Sequence, residues 1–354
     1  MAGKQDADVL PRRRLGRTRL SLTEVGLGTA ALGNLYAPID PRVAQATVEA
    51  AWNAGMRFFD TAPFYGFGLS ERRLGDVLRE HLGEPFAVST KVGRLLRPMP
   101  DHSGAPARNL FHTPMPFSAV FDYSYDGIMR SYEQSLQRLG LARIDVLLIH
   151  DIGVVTHGAG NASMLETLRS SGYRALEQLR ASGDVQAIGI GANEWQACDE
   201  AMDWGRFDCF LLAGRYTLLE QEPLQRFLPR CAEHGATVIV GGAYNSGILA
   251  ADSRGAGPRY YDYQPAAAPI VERVSAIEHV CAAHGVALAA AALQFPLAHP
   301  QVTTVIPGAA TAEEVGASID RYHADIPAAF WSDLKSAGLI ALDAPVPGPS
   351  QAVA

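Results

Sequence analysis

The sequence predicts a single closed (β/α)8 barrel, and three observations predict it. Short apolar strands alternate with longer amphipathic segments from about residue 24 onward, the signature of a parallel sheet built from βαβ units. Several strands, such as "DVLLI" and "TVIV", are apolar nearly throughout, as strands covered on both faces must be. Eight strands can be read, each followed by a helix, which favours a closed barrel over an open doubly wound sheet. At 354 residues, with 48% hydrophobic and 19% charged, the chain can fill such a core, and α/β barrels of this size form one domain. That domain is expected to span 1–354, with its core over about 15–340 and a mobile tail at 341–354.

Taken in order, "RRLGRTRLSLTE" reads as a hairpin turning at "GRT" that caps one barrel end. The strands are "TEVGLGT", "MRFFDT", "FAVSTKV", "IDVLLIH", "VQAIGIGA", "CFLLAG", "TVIVGGA" and "VTTVIPG". The first helix, "DPRVAQATVEAAWNAG", has Asp40 as cap, Pro41 in its first turn and Gly55 at its stop. The second, "SERRLGDVLREHLG", is expected to start from Ser70 as N-cap and to end before Gly83. Three connections, 93–123, 151–163 and 250–268, are too long for ordinary turns. Each follows a strand, so each is expected on the C-terminal face of the barrel, where such folds place their sites.

The formal net charge is -7 and the basic run at 12–14 is too short to outweigh it, which argues against nucleic acid or an anionic membrane as partner. "MAGKQDADVLPRRR" has no apolar signal-peptide core, and no run approaches the roughly 20 apolar residues of a membrane span, so a cytoplasmic protein is expected. Cys198, Cys209, Cys231 and Cys281 are far apart with no CxxC pair, and read as reduced, packed thiols rather than zinc ligands. Gly26, Gly28 and Ala31 match the dinucleotide fingerprint GxGxxA. That fingerprint needs a helix opening at its end, and "LGNLYAPIDP" with Pro38 and Pro41 is a loop instead.

Four polar residues stand at or just beyond successive strand ends: Asp60, Tyr65, Lys91 and His150. On a barrel these ends converge on one mouth. A phenol with a pKa near 10 needs a neighbouring cation to act as a base at neutral pH. Lys91 is expected to supply that charge and to lower the Tyr65 pKa, a drop of about 3 units being worth roughly 4 kcal/mol. Asp60 would neutralise the buried ammonium, and His150 would hold the reacting oxygen.

The stretches "FFDTAPFYG", "STKVG", "LLIHD" and "VIPGAATAEEV" occur in the order and approximate spacing of the aldo-keto reductase superfamily, which the chain resembles over nearly the whole barrel. The resemblance implies the tetrad Asp60, Tyr65, Lys91 and His150, Tyr65 as general acid and base, and a nicotinamide cofactor extended across the mouth. "GTAALGNLY", "YGFGLSERRLG", "LLAGRYTLLEQ" and "YNSGILA" look most like bacterial dehydrogenases of L-fucose and D-threo-aldoses, pyridoxal 4-dehydrogenase and plant L-galactose dehydrogenase. All of these oxidise a cyclic hemiacetal to a lactone. The implied activity is therefore oxidation of an aldose such as L-fucose, D-arabinose or L-galactose at C1. Pyridoxal oxidation or NADPH-dependent aldehyde reduction is the alternative, and a non-catalytic binding subunit the remote one.

The same resemblance assigns cofactor contacts. Gly28 and Thr29 end the first strand, and Asn193 holds the carboxamide although Ala192 stands where relatives have Ser. Ala213 falls near the usual Gln and Gly241 where a stacking ring is common, so Tyr216 or Tyr244 would have to compensate. Ser246, Gly247 and Leu249, with Gly308, Glu314 and Ser318, complete the set. Relatives that prefer NADP carry a Lys and an Arg where this chain has Gly308 and Glu314. A carboxylate repels a 2'-phosphate but accepts hydrogen bonds from a ribose diol, so NAD is expected over NADP, with no metal. The alternative leaves Glu314 to water and the phosphate to Arg321. The segment 250–268, with "GAGPRYYDY", reads as a lid in which Arg259 meets phosphate. Phe64, Phe111, His112, Phe117 and Tyr123 are candidates to line a sugar pocket, and a monomer or homodimer is expected.

Overall fold

In the computed structural model the described residues are 9–101, 107–250 and 259–348. Eight parallel strands run in chain order around one sheet: β1 Leu27–Gly28, β2 Phe58–Asp60, β3 Ala87–Val92, β4 Val146–His150, β5 Ala187–Ala192, β6 Cys209–Ala213, β7 Thr237–Gly241 and β8 Val302–Ile306. Parallel bridges Val25 to Val305 and Gly28 to Gly308 join β8 to β1 and close the barrel. All eight predicted strands are present.

Alternation along each strand sorts its side chains. Phe59, Val88, Leu147, Ile149, Ile188, Ile190, Phe210, Leu212, Val238 and Val240 face outward and pack in the core beneath the helices. Phe58, Ala87, Val146, Leu148, Ala187, Cys209, Leu211, Ile239 and Ile306 face inward and fill the barrel. The N-terminal hairpin, Arg12–Arg14 with Ser21–Thr23, seals this plug from below with Leu15 and Leu22, both fully buried. Gly16 turns the hairpin with φ 51° and donates its N–H to Thr237 Oγ1 at 2.9 Å.

The same inward rows continue toward the C-terminal end. Two residues beyond Phe58 comes Asp60, four beyond Ala87 comes Lys91, and two beyond Leu148 comes His150. Register places Asp60 beside Ser89 and Lys91 beside Leu148 on neighbouring strands. An apolar plug thus supports a short polar layer at the mouth.

Helix α1, Pro41–Asn53, starts as predicted, with Asp40 accepting from Arg42 N. Helix α2, Leu69–Leu78, does not start from a Ser70 cap. Its N-cap is Gly68 with φ 98°, and Ser70 is fully buried in the first turn, where it donates to Thr29 O at 2.8 Å. The left-handed cap conformation suits glycine, which leaves Ser70 free to tie α2 to the end of β1. Ala31–Gly33 is a single turn, ended by Asn34 with φ 68°, so the GxGxxA match has no helix behind it.

Each long connection carries structure of its own on the C-terminal face. Within 93–123, Arg94–Pro98 pairs with Phe117–Phe121. Within 151–163 lies the short helix Val154–His157. Within 250–268, Tyr260–Tyr261 pairs with Gln264–Pro265, while 251–258 fall outside the described residues. The tail is not free over 341–348: Ala344 is buried, and Asp343 accepts from Gln225 at 2.8 Å. Residues 349–354 fall outside the described residues. Among the described residues no single helix is long and apolar enough to cross a membrane. All four cysteines are buried free thiols.

Candidate active site

Lys91 is the hub of the mouth. Its ammonium, buried at the end of β3, donates to Asp60 Oδ2 at 2.7 Å, to Thr61 O at 2.9 Å and to the Tyr65 hydroxyl at 3.1 Å. All three donors of the ammonium are thereby used. Ser89 donates to the other Asp60 oxygen at 2.7 Å, which fixes the carboxylate. Tyr65 lies five residues past Asp60, on a turn where Gly66 has φ 63° and Gly33 backbone presses so closely that a side chain at Gly66 would not fit.

The electrostatics correct one expectation. Burial raises the Tyr65 pKa by more than the Lys91 charge lowers it, and Asp60 adds to the rise. Desolvation penalises the phenolate, so it opposes the cation instead of assisting it, and the phenol stays protonated. For Lys91, burial alone would lower the pKa, but Asp60 and Tyr65 outweigh it and the ammonium stays charged. His150 is held well below its ordinary value by burial, then by the charges of Arg94 and Lys91, so the imidazole is neutral. Its ring meets Tyr65 edge-on, with centroids 6.1 Å apart.

Asp151 and Arg94, which sequence reasoning did not single out, complete this polar layer. Strand alternation would turn Asp151 away from the mouth, but its φ of 54° reverses it to the side of His150. Its carboxylate pairs with Arg94, lies 3.4 Å from His150 Nε2 and accepts from Asn193 Nδ2 at 3.3 Å. A non-glycine residue in the left-handed region is the kind of strain that gathers at functional sites, yet no sequence motif announces it.

The expected substrate residues divide. Phe64, Phe67 and Phe111 form an edge-to-face cluster beside Tyr65 and His150. Phe117 packs partly buried against that cluster, and His112 is tied by its N–H to Asn34 O. Tyr123 does not line the mouth. It is fully buried, donates to His150 O at 2.8 Å and lies 3.0 Å from His157 Nε2, so it braces the end of β4 from behind.

The expected cofactor residues divide too. Glycines stand at or just beyond the ends of β7, β8 and β1: Gly241 pairs with Ile306, two residues before Gly308, while Gly308 pairs with Gly28 and Gly28 with Asp60. A Cβ on Gly308 would meet only Gly28 O at 3.8 Å, and one on Gly247 nothing within 4 Å. Tyr244 is half-buried against Arg321, which lies 3.4 Å from its hydroxyl, and Ser246 accepts from Tyr263 N at 3.1 Å. Thr29, Tyr216, Leu249 and Ser318 are buried. Thr29 binds Asp60 O, Tyr216 packs on Phe295 and His299, and Ser318 donates to Glu314 O. Glu314 accepts from Ala310 N at 2.7 Å, and Arg259 donates through Nη2 to Glu278 at 3.0 Å. These glycines near Asp60, Gly308 above all, fit an extended dinucleotide, since backbone without side chains lets a flat ligand approach closely. Among the described residues no three His, Cys, Asp or Glu side chains converge as a metal set.

The sequence profile of the aldo/keto reductase family matches residues 24–338. The chain belongs to that family. It is 45% identical over 340 residues to a pyridoxal 4-dehydrogenase of Microbacterium luteolum, covering 93% of this chain and 98% of the relative. It is 39% identical over 323 residues to a D-threo-aldose 1-dehydrogenase of a Pseudomonas species, covering 91% and 95%. An aldo-keto reductase of Bacillus halodurans, solved in its holo form, has the same fold: TM-score 0.72 at 22% identity, over 92% of this chain and 96% of that one. The chain is thus an oxidoreductase of a family that works with nicotinamide cofactors.

Proposed function

We propose that this aldo-keto reductase oxidises a cyclic hemiacetal to its lactone, with NAD as the preferred cofactor and an aldose pyranose as substrate. The observation that carries the reading is the convergence of Asp60, Lys91, Tyr65 and a neutral His150 on one mouth beside the strand-end glycines.

A nicotinamide ring, when bound, supplies the hydride acceptor. Burial keeps the resting Tyr65 phenol protonated, so the base in the oxidation is its minor phenolate form, which Lys91, already donating to that oxygen, stabilises. The phenolate takes the anomeric hydroxyl proton and returns to the neutral phenol. Asp60 keeps Lys91 in place, and neutral His150 can hydrogen-bond the substrate oxygen without repelling the approaching cationic ring. Phe64, partly buried with its ring 6.1 Å from that of His150, offers an apolar wall to the C–H surface of a sugar, and Phe111 packs behind it.

Pyridoxal, which also closes to a hemiacetal, is the second reading, favoured by the 45% likeness to a pyridoxal 4-dehydrogenase. Initial rates at 340 nm with NAD and L-fucose, D-arabinose, L-galactose or pyridoxal decide between them. Failure with all four while NADPH-dependent aldehyde reduction proceeds would overturn both.

A further inference from the structure

We propose that Arg94 and Asp151 form a specificity site that reads a hydroxyl on the ring carbon next to the reacting hemiacetal carbon. This assignment rests on the hemiacetal reading and deepens it.

Arg94 is built as a fixed group. Its guanidinium sits 4.1 Å over the ring of Phe64 and 4.7 Å over that of Phe121, and it pairs with Asp151. Clamping between two ring faces removes the rotamer freedom an arginine would lose on binding. Among the described residues its Nε, although buried, has no hydrogen-bond partner, so the pair retains donor capacity. Asp151 is fixed equally well, by its left-handed backbone, by Arg94 and by the Asn193 amide. The lone pairs of its two carboxylate oxygens still exceed these contacts.

The charges decide what such a pair selects. An anionic group would meet the Asp151 carboxylate, and a cationic one would meet the guanidinium. A hydroxyl suits both, because it accepts from Arg94 while donating to Asp151. Position decides which hydroxyl. Asp151 Oδ2 lies 3.4 Å from His150 Nε2, a separation comparable with that of oxygens on adjacent ring carbons. Whatever places its reacting oxygen on His150 therefore places the neighbouring oxygen on this pair. Phe64, which covers one face of Arg94 and has its ring 6.1 Å from that of His150, walls the two positions together. An aldose with a C2 hydroxyl meets this requirement, whereas the ring hydroxyl of pyridoxal stands one carbon further from its hemiacetal carbon, so the site favours the aldose reading over the pyridoxal one.

The test compares kcat/KM with NAD for D-arabinose and 2-deoxy-D-ribose, which differ only in the C2 hydroxyl, in wild type, Arg94→Met, Asp151→Asn and the double variant. The double variant leaves no unpaired buried charge if either single variant fails to fold. Wild type should prefer D-arabinose by at least about tenfold. Asp151→Asn and the double variant should bring the ratio within about threefold of unity, with KM for D-arabinose rising more than kcat falls. A wild type without preference, or a preference unchanged in variants of wild-type Tm, overturns the assignment while leaving hemiacetal oxidation intact. No turnover of D-arabinose, L-fucose or pyridoxal by wild type overturns the underlying reading, and the assignment with it.

Discussion

The Lys91 ammonium donates to the Tyr65 hydroxyl across 3.1 Å, so the phenol accepts on its inner side and its own hydrogen is free to point toward the mouth. A residue arranged to exchange that proton with a substrate oxygen should be needed for turnover and for little else. Tyr65→Phe is expected to lower kcat by about 10²–10⁴-fold. Cofactor affinity, followed by quenching of protein fluorescence, should stay within about threefold of wild type. A variant that keeps a tenth of the wild-type kcat would remove Tyr65 from the chemistry.

Lys91 and Asp60 are both nearly fully buried, and each depends on the other for neutralisation. Lys91→Met strands a carboxylate among Ser89, Thr61 and the barrel plug, and is expected to cost about 3–5 kcal/mol in urea unfolding. Asp60→Asn combined with Lys91→Met should recover a large part of that loss, because no uncompensated charge remains. Additive costs would show that the two are not coupled. Neither protein should turn over substrate.

Acid sensitivity should have a traceable source in His299. Burial beside Tyr216 lowers its pKa to about 4, and its Nδ1 accepts from Gln301 N at 3.1 Å, a bond that protonation breaks. The folded pKa lies below the unfolded value near 6.5, so between them the unfolded chain binds more protons and stability rises with pH. Stability is therefore complete above about pH 6.5 and declines toward pH 4, by about 2–3 kcal/mol from this group. His150, also held low by burial, adds in the same direction. His299→Gln should flatten the fall in Tm between pH 6.5 and 4; an unchanged slope would place the acid sensitivity elsewhere.

Much of the barrel was legible because its physics is periodic: apolar strands at regular spacing, with alternation that puts Asp60, Lys91 and His150 on inward rows. Tyr65 was legible only through the motif around it. What escaped was set by single backbone torsions and by depth. Nothing in "LLIHD" signals that Asp151 turns back toward His150 at φ 54°, and nothing in "KVGRLL" shows Arg94 clamped between Phe64 and Phe121. Tyr123 looked like a pocket residue because aromatic residues on loops often are; its burial behind His150 depends on Gly93 and Gly172, which pass so close to it that neither could carry a side chain. The direction of the Tyr65 shift does not follow from the Lys91 charge alone, because burial penalises the phenolate and outweighs the cation.

Glu314 carries the last prediction, because it serves two ends that can be separated. It is the third residue of the helix Ala312–His323, and its carboxylate accepts from Ala310 N at 2.7 Å while Thr311 Oγ1 accepts from Glu314 N at 3.3 Å, an arrangement close to a capping box. That local role would suffice to explain a Glu here. The proposed preference for NAD adds a second consequence, since a negative charge at this helix start opposes a 2'-phosphate. Glu314→Gln keeps an acceptor for Ala310 N and removes the charge, so Tm should change little, with a cost below about 1 kcal/mol. If the charge discriminates, kcat/KM with NADP should rise about tenfold, one unit of log discrimination or about 1.4 kcal/mol, while that with NAD stays within threefold. Equal changes with both cofactors would reduce Glu314 to a helix cap, and a wild type that already prefers NADP would overturn the cofactor assignment.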